Sequence, residues 1–214
     1  MVGKKKTKKK EKIERKKIIQ SNIEKENILL KNIFIFLGIF LLVIALSFFI
    51  IKASTHFKYK GVEFDIVKEG KLTLYHTSFP VIHNGENAEY NIYLRNDPRE
   101  LEKKVPAKGT LLSIDDTVVN ITQEFECGGK EVIAIANLVN MYGAIGRDFI
   151  RDENASCDNL GRYMYITIQP GNETSIENFG PNCYNINIKD CEILEGTERF
   201  IVGMLVKINF DLSK

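Results

Sequence analysis

The feature that most constrains this chain is a run of nineteen consecutive uncharged residues, 33–51, with Lys31 before it and Lys52 after it. Sixteen of the nineteen are Leu, Ile, Phe or Val. As a helix rising about 1.5 Å per residue, the run extends about 28 Å, close to the bilayer hydrocarbon thickness of about 30 Å. Because these side chains favour insertion, we predict a transmembrane helix over residues 32–52 and disfavour a buried helix of a soluble protein.

The charges on the two sides of this run predict its orientation. Residues 1–31 hold twelve Lys or Arg and four Glu, whereas residues 53–214 hold seventeen Lys or Arg and twenty-four acids. Since basic residues next to a span stay in the cytoplasm, we predict a single-pass protein of the cell membrane with a basic cytoplasmic tail over 1–31 and an extracytoplasmic carboxyl-terminal domain. A cleaved signal peptide is disfavoured, because its apolar region spans only about 7–15 residues.

The tail has two further interpretations besides setting topology. Its basic residues could contact anionic lipid, since Lys and Arg near a membrane surface attract acidic head groups. They could also neutralise nucleic-acid phosphates, but the tail lacks the interleaved aromatic residues of a base-stacking surface. We therefore name the lipid bilayer as a partner, add anionic lipid as a further one, and do not favour nucleic acid.

All four cysteines, Cys127, Cys157, Cys183 and Cys191, lie on the predicted outer side. An even number in an oxidising compartment is typical of two disulfides. Free buried thiols are an alternative. A zinc site is disfavoured, because no closely spaced cysteine pair exists and the three histidines lie far upstream. Four cysteines allow three pairings, so the sequence leaves the connectivity open.

Three acceptor triplets for N-glycosylation also lie in the outer segment, beginning at Asn120, Asn154 and Asn172. They predict surface glycosylation of one or more of these residues in a cell that has the machinery. The alternative is the ordinary polarity of exposed loops.

The outer segment, residues 57–214, has the length of one domain, and its pattern predicts an α+β fold. Apolar residues alternate over 62–66, 72–74 and 90–94, with turn signals between them, so the domain begins as antiparallel strands. Further strands are expected near 111–114 and over 163–169, 174–176 and 183–188, and a helix over 192–208. We expect a mostly antiparallel sheet covered by about two helices.

The stretch 131–150 is ambiguous, and the disulfide pairing depends on how it is interpreted. Residues 132–136 suit a buried strand, while 138–150 follow helical spacing. A strand followed by a returning helix would bring the chain back to its start, which predicts a Cys127–Cys157 bond and leaves Cys183 to pair with Cys191.

No catalytic signature is present in the sequence: it has no nucleophile elbow, P-loop, dinucleotide fingerprint or zinc-protease helix. We assign no catalytic, cofactor-binding or metal-binding residue and expect no cofactor. The pattern therefore favours a protein that is not an enzyme, without deciding the question. The suspects worth testing for dispersed catalytic groups are Asp115, Asp116, Asp148 and His76.

Two segments carry a resemblance: YNIYLRNDPRELEKKVPAKG at 90–109 and GNETSIENFG at 171–180. They are similar to parts of uncharacterised single-pass membrane proteins of small-genome archaea, which implies an archaeal cell surface and assigns no residue a role.

These patterns predict a membrane-anchored cell-surface binding or scaffolding protein that acts through contacts with another envelope protein. The alternative is an anchored envelope hydrolase whose catalytic residues are dispersed in the sequence.

Overall fold

The computed structural model of the chain describes residues 30–49, 55–83, 85–109 and 114–212. The chain divides into two compact units, Met1–Ser54 and Thr55–Lys214. Residues 1–29 of the predicted basic tail lie outside the described residues, as does most of the strand expected near 111–114.

The first unit contains one long apolar helix, α1, Leu30–Phe49. Its mean hydropathy is 2.7, and its residues are exposed. The hydroxyl of Ser47 donates a hydrogen bond to the Val43 carbonyl one turn earlier (2.8 Å), which satisfies a polar group within the helix itself. By length and composition α1 is able to cross a membrane, in agreement with the predicted span.

The second unit is α+β, as predicted, and begins with a four-stranded antiparallel sheet in the order β1-β2-β3-β4. The expected strands at 62–66, 72–74 and 90–94 are confirmed, although all three are longer than expected. Gly70 (φ 61°) and Gly85 (φ 81°) supply the left-handed residues of the two turns that follow β2 and β3. The strands are β1 His56–Tyr59, β2 Val62–Glu69, β3 Leu72–His83 and β4 Glu86–Leu94.

A second, six-stranded sheet in the order β5-β9-β10-β8-β6-β7 was not expected. Strands β7, β6, β8 and β10 are all parallel, β5 is parallel to β9, and the β9–β10 hairpin supplies the antiparallel pair. The prediction of a mostly antiparallel sheet therefore holds for the first sheet and is wrong for this mixed one. Its strands are β5 Ala107–Lys108, β6 Thr117–Ile121, β7 Phe149–Arg151, β8 Met164–Pro170, β9 Ser175–Gly180 and β10 Cys183–Ile188.

The described residues of the second unit include the helices α2 Pro98–Lys104, α3 Lys130–Ala144 and α4 Ile193–Leu212. The strand predicted over 132–136 is wrong, because α3 is helical from Lys130 onward. It connects the parallel strands β6 and β7. Parallel neighbours need a long crossover connection, which is usually a helix, so the apolar run at 132–136 is helical here. The helix predicted over 192–208 is confirmed by α4.

Helix α4 lies between the two sheets and contacts both of them. Ten of its first thirteen residues are buried. Gly196 allows close contact with the second sheet, since a Cβ there would lie 2.7 Å from the Ile188 Cδ1 atom. Further along, the Phe200 ring packs against that of Tyr184, with centroids 5.8 Å apart. The core of the domain therefore surrounds α4.

A buried carboxylate joins α4 to the end of the first sheet. Glu198 is 0% exposed, and its two oxygens accept hydrogen bonds from the backbone N–H groups of Arg95 (2.7 Å) and Asn96 (2.9 Å) and from the Asn96 side chain (2.8 Å). Burial raises the pKa of Glu198 to about 6 despite these donors. The contact satisfies the backbone where β4 ends and the chain turns toward α2.

Candidate functional site

An open groove of about 780 Å³ lies between the first half of α3 and the segment that connects β6 to α3. We call it the α3 groove. Its floor is apolar, with Ile121, Phe125, Ile135 and Ile193 among the lining residues. A volume of this size lies within the usual range for ligand-binding clefts, about 300–1,000 Å³.

Helix α3 places apolar residues on its outer side as well as its inner side. Ala134, Leu138, Met141 and Tyr142 are buried against the domain. On the other side Val132 is 66% exposed and Val139 is 44% exposed, and both line the groove together with the exposed Ala136. Residues 132, 136 and 139 are spaced at i, i+4 and i+7, so they form one stripe. A contiguous exposed apolar patch is typical of an interaction site.

The wall of the groove is a turn held by several local contacts. Gly128 (φ 64°) and Gly129 (φ 89°) adopt left-handed conformations, and Gly129 is the residue that precedes α3. The Glu131 carboxylate accepts hydrogen bonds from the N–H groups of Cys127 (3.1 Å) and Gly129 (3.2 Å). These bonds satisfy backbone donors at the start of the helix and fix the turn.

Three of the six polar side chains that line the groove are acidic. Glu124 and Glu126 are exposed, and Glu131 forms the turn contacts just described. Arg151 also lines the groove, but its guanidinium pairs with Glu153 at 3.0 Å. The groove therefore combines an apolar floor with a negatively charged rim.

The four cysteines form two disulfides, but the predicted pairing is wrong. The bonds join Cys127 to Cys191 and Cys157 to Cys183. The parallel sheet explains this result. Cys127 and Cys191 follow the carboxyl ends of β6 and β10, which lie on the same side of the sheet. Cys183 is the first residue of β10 and therefore lies on the opposite side. The first bond borders the α3 groove, since Glu126, Gly128 and Ile193 beside it line that groove.

The three glycosylation triplets differ in their environments. Asn120 lies within β6, partly buried, and its amide is within hydrogen-bond distance of the Glu153 carbonyl (3.3 Å) and the Tyr165 hydroxyl (3.4 Å). Asn154 and Asn172 are exposed and lie outside the helices and strands. Asn154 and Asn172 are therefore accessible to modification, whereas Asn120 is less so. The triplet sequences alone do not show this difference.

The suspected catalytic residues do not form one constellation. Asp116 Oδ1 accepts a hydrogen bond from the Asp148 N–H (3.1 Å), and Asp115 Oδ2 accepts one from the Asn182 amide (3.1 Å), so the three acids lie together at the start of β6 and β7. His76 lies on β3 in the other sheet, where its Nε2 is 2.8 Å from the Asn91 Oδ1 atom. The structure therefore does not pair a histidine base with these acids.

A row of polar residues crosses the first sheet and is not apparent in the sequence. The strand register aligns His56, Asp65, His76 and Tyr93 across β1 to β4. His56 Nδ1 lies 2.9 Å from Asp65 Oδ1, and the His76 and Tyr93 rings lie 4.7 Å apart. Within the described part of the chain, no group of three His, Cys, Asp or Glu side chains is arranged to hold a metal ion. Its members lie on four different strands, so only the register of those strands shows that they are neighbours.

Comparison with protein-family models, with curated proteins and with solved structures finds no match to this chain. Its function is therefore inferred from the geometry of the molecule itself.

Proposed function

We propose that the chain is a membrane-anchored binding protein whose recognition surface is the α3 groove. The observation that carries the proposal is the outer side of α3, where Val132 (66% exposed) and Val139 (44% exposed) extend an apolar surface into an open groove. A domain with a buried core elsewhere gains nothing from exposing such a surface, whereas a partner that covers it removes apolar area from water.

The chemistry of the rim indicates the kind of partner. Glu124 and Glu126 are exposed beside the apolar floor, and the one basic lining residue, Arg151, already has a carboxylate partner. A complementary ligand is a polypeptide segment that presents apolar side chains flanked by Lys or Arg. We therefore propose that the partner is another protein of the envelope with such a segment.

The anchor and the compartment form part of the same proposal. Helix α1 is apolar and long enough to cross a membrane, and both disulfides belong to the second unit. Disulfides persist in oxidising compartments, which supports an extracytoplasmic position for Thr55–Lys214. The archaeal origin suggested by the resemblance stays a prediction, and the proposed function does not depend on it.

The test is site-specific photocrosslinking of the full chain in intact cells. A photoreactive phenylalanine analogue replaces Val139 in one variant and Leu160, which is 76% exposed and outside the groove, in a matched control. We expect a discrete crosslinked protein from position 139 alone, with the crosslinked peptide carrying apolar residues next to Lys or Arg.

Charge reversal then tests the rim. The double substitution Glu124→Lys and Glu126→Lys should weaken the crosslink from position 139, and Glu86→Lys, an exposed site on β4, should not. A crosslink that is equal at positions 139 and 160, or that is unaffected by charge reversal, would contradict the proposal. A crosslink to a second copy of the chain would replace it with self-association.

A further inference from the structure

A second cavity, of about 520 Å³, lies along the outer half of α4 beside β5 and the turn that follows β1. We call it the α4 cavity. Apolar residues of α4, Phe200, Val206 and Phe210, form part of its lining. Among the described residues, four basic side chains and one acidic side chain, Glu102, also line it. The basic residues are Lys60, Lys108, Arg199 and Lys207.

Three of the four cations form a close ion pair with a carboxylate, and the fourth, Arg199, does not. Lys60 pairs with Glu102, Lys108 with Glu177 (2.9 Å), and Lys207 with Asp211 (3.0 Å). Within the described residues, the Arg199 side chain forms no close hydrogen bond or ion pair, and its Nε atom is shielded from solvent without a hydrogen-bond partner. The hydrogen bond from Lys60 lowers the pKa of the Glu102 carboxyl group, and the charge of Arg199 acts on that group at longer range and helps to lower its pKa. An unpaired buried donor is costly, and a guanidinium binds a carboxylate or phosphate in a bidentate manner.

The spacing along α4 connects this cation to the apolar lining. Residues 199, 203, 206 and 210 follow one another at i, i+4, i+7 and i+11, so they lie on one side of the helix over about 16 Å. All four line the cavity. A molecule with an acidic head and a hydrocarbon chain therefore meets matching groups in order along the helix.

Gly203 lies in the middle of this row, where packing does not require a glycine. A Cβ at Gly203 would meet no atom within 4 Å, so the space beside it is open. Glycine in a helix interior is unfavourable relative to alanine. The missing side chain keeps the middle of the cavity wide.

We propose that the α4 cavity binds a single-chain anionic amphiphile, with a carboxylate or phosphate at Arg199 and the hydrocarbon chain along Gly203, Val206 and Phe210. The cavity volume lies within the usual range for small-molecule sites, about 300–1,000 Å³. The site is separate from the α3 groove, and the inference stands whether or not that groove recognises a protein.

The test uses the full chain in nanodiscs of neutral phosphatidylcholine. The probe is a dodecanoate that carries a photoreactive diazirine, and mass spectrometry maps the labelled residues. We expect labelling of α4 and β9 residues around the cavity, with competition by excess dodecanoate or dodecyl phosphate and little competition by dodecanol or inorganic phosphate. A second preparation carries the diazirine on phosphatidylglycerol within the disc, which distinguishes a free amphiphile from a bilayer lipid.

Two variants and a control complete the experiment. Arg199→Gln should weaken dodecanoate binding by about tenfold or more, as expected for loss of a charge-assisted contact. Gly203→Leu should block labelling by occupying the open space, and it adds a side chain that favours the helix, so folding is preserved. Arg147→Gln, at an exposed arginine away from the cavity, should leave labelling unchanged. Labelling confined to α1, labelling unaffected by both cavity variants, or equal competition by dodecanol would overturn the proposal.

Discussion

The buried carboxylate of Glu198 makes the stability of the second unit depend on pH in a direction that differs from most carboxylates. Its pKa is raised from 4.5 to about 6 by burial, so the folded state holds the proton more tightly than the unfolded state. Its favourable contribution is therefore fully present below pH 4.5 and is lost as the pH rises through 6. The difference between the two pKa values corresponds to about 2 kcal/mol, a large share of a typical domain stability of about 5–15 kcal/mol.

The substitution Glu198→Gln isolates this effect, because an amide has the shape of a protonated carboxyl group and does not ionise. We expect the wild-type chain to gain about 2 kcal/mol relative to Glu198→Gln when the pH is lowered from 7 to 4. Glu86→Gln, at an exposed position, should show no comparable change.

The assay is chemical denaturation of the full chain in a neutral detergent, followed by tyrosine fluorescence. All eight tyrosines lie between residues 59 and 184 and the chain has no tryptophan, so the signal reports the second unit alone. If the stability difference between the wild type and Glu198→Gln stays constant from pH 4 to pH 7, or grows at pH 7, the argument from burial is wrong.

Three further predictions concern the disulfides, the glycosylation triplets and the topology. Replacing Cys127 and Cys191 by serine should lower the free energy of unfolding by about 4 kcal/mol, and removing the other disulfide should lower it by about 3.5 kcal/mol. The reason is that the two bonds join residues 64 and 26 positions apart. Equal losses in chemical denaturation, or a different pairing in non-reducing peptide maps, would disprove this order. In a host that glycosylates, glycopeptide mapping should find sugar on the two exposed triplets and none on Asn120. External protease on intact cells should remove a carboxyl-terminal tag and spare an amino-terminal one, and the reverse pattern would refute the orientation.

The sequence predicts those elements whose local pattern agrees with their place in the fold. Strands β2, β4 and β8 and helix α4 have clear periodicity, and each was found at nearly the expected residues. Helix α3 was misjudged because its start, Val132 to Ala136, is a short apolar run that suits a buried strand equally well. The parallel pairing of β6 with β7 is what favours a helix there, because parallel strands need a crossover connection. No short stretch of sequence predicts that pairing.

The site residues were harder to predict for the same reason. The α3 groove depends on which side of α3 faces outward, and the α4 cavity depends on Arg199 lying near Lys60 and Lys108, which are distant in the sequence. The predicted cysteine pairing was wrong because it depended on a strand at 132–136, and that segment is helical. Residue types alone identified the cysteines and the triplets, whereas their partners and exposure follow from the sheet order.

The bond between Cys127 and Cys191 has a consequence for where and when the proposed recognition surface is complete. It links the turn before α3 to the start of α4, and both segments border the α3 groove. In a reducing compartment the thiols stay separate, and the hydrogen bonds of Glu131 are left to hold the turn. A newly made chain would thus carry an unfinished recognition surface until it reaches an oxidising environment. If the domain is extracytoplasmic, as proposed, export completes the proposed surface, and the chain does not bind its partner in the cytoplasm.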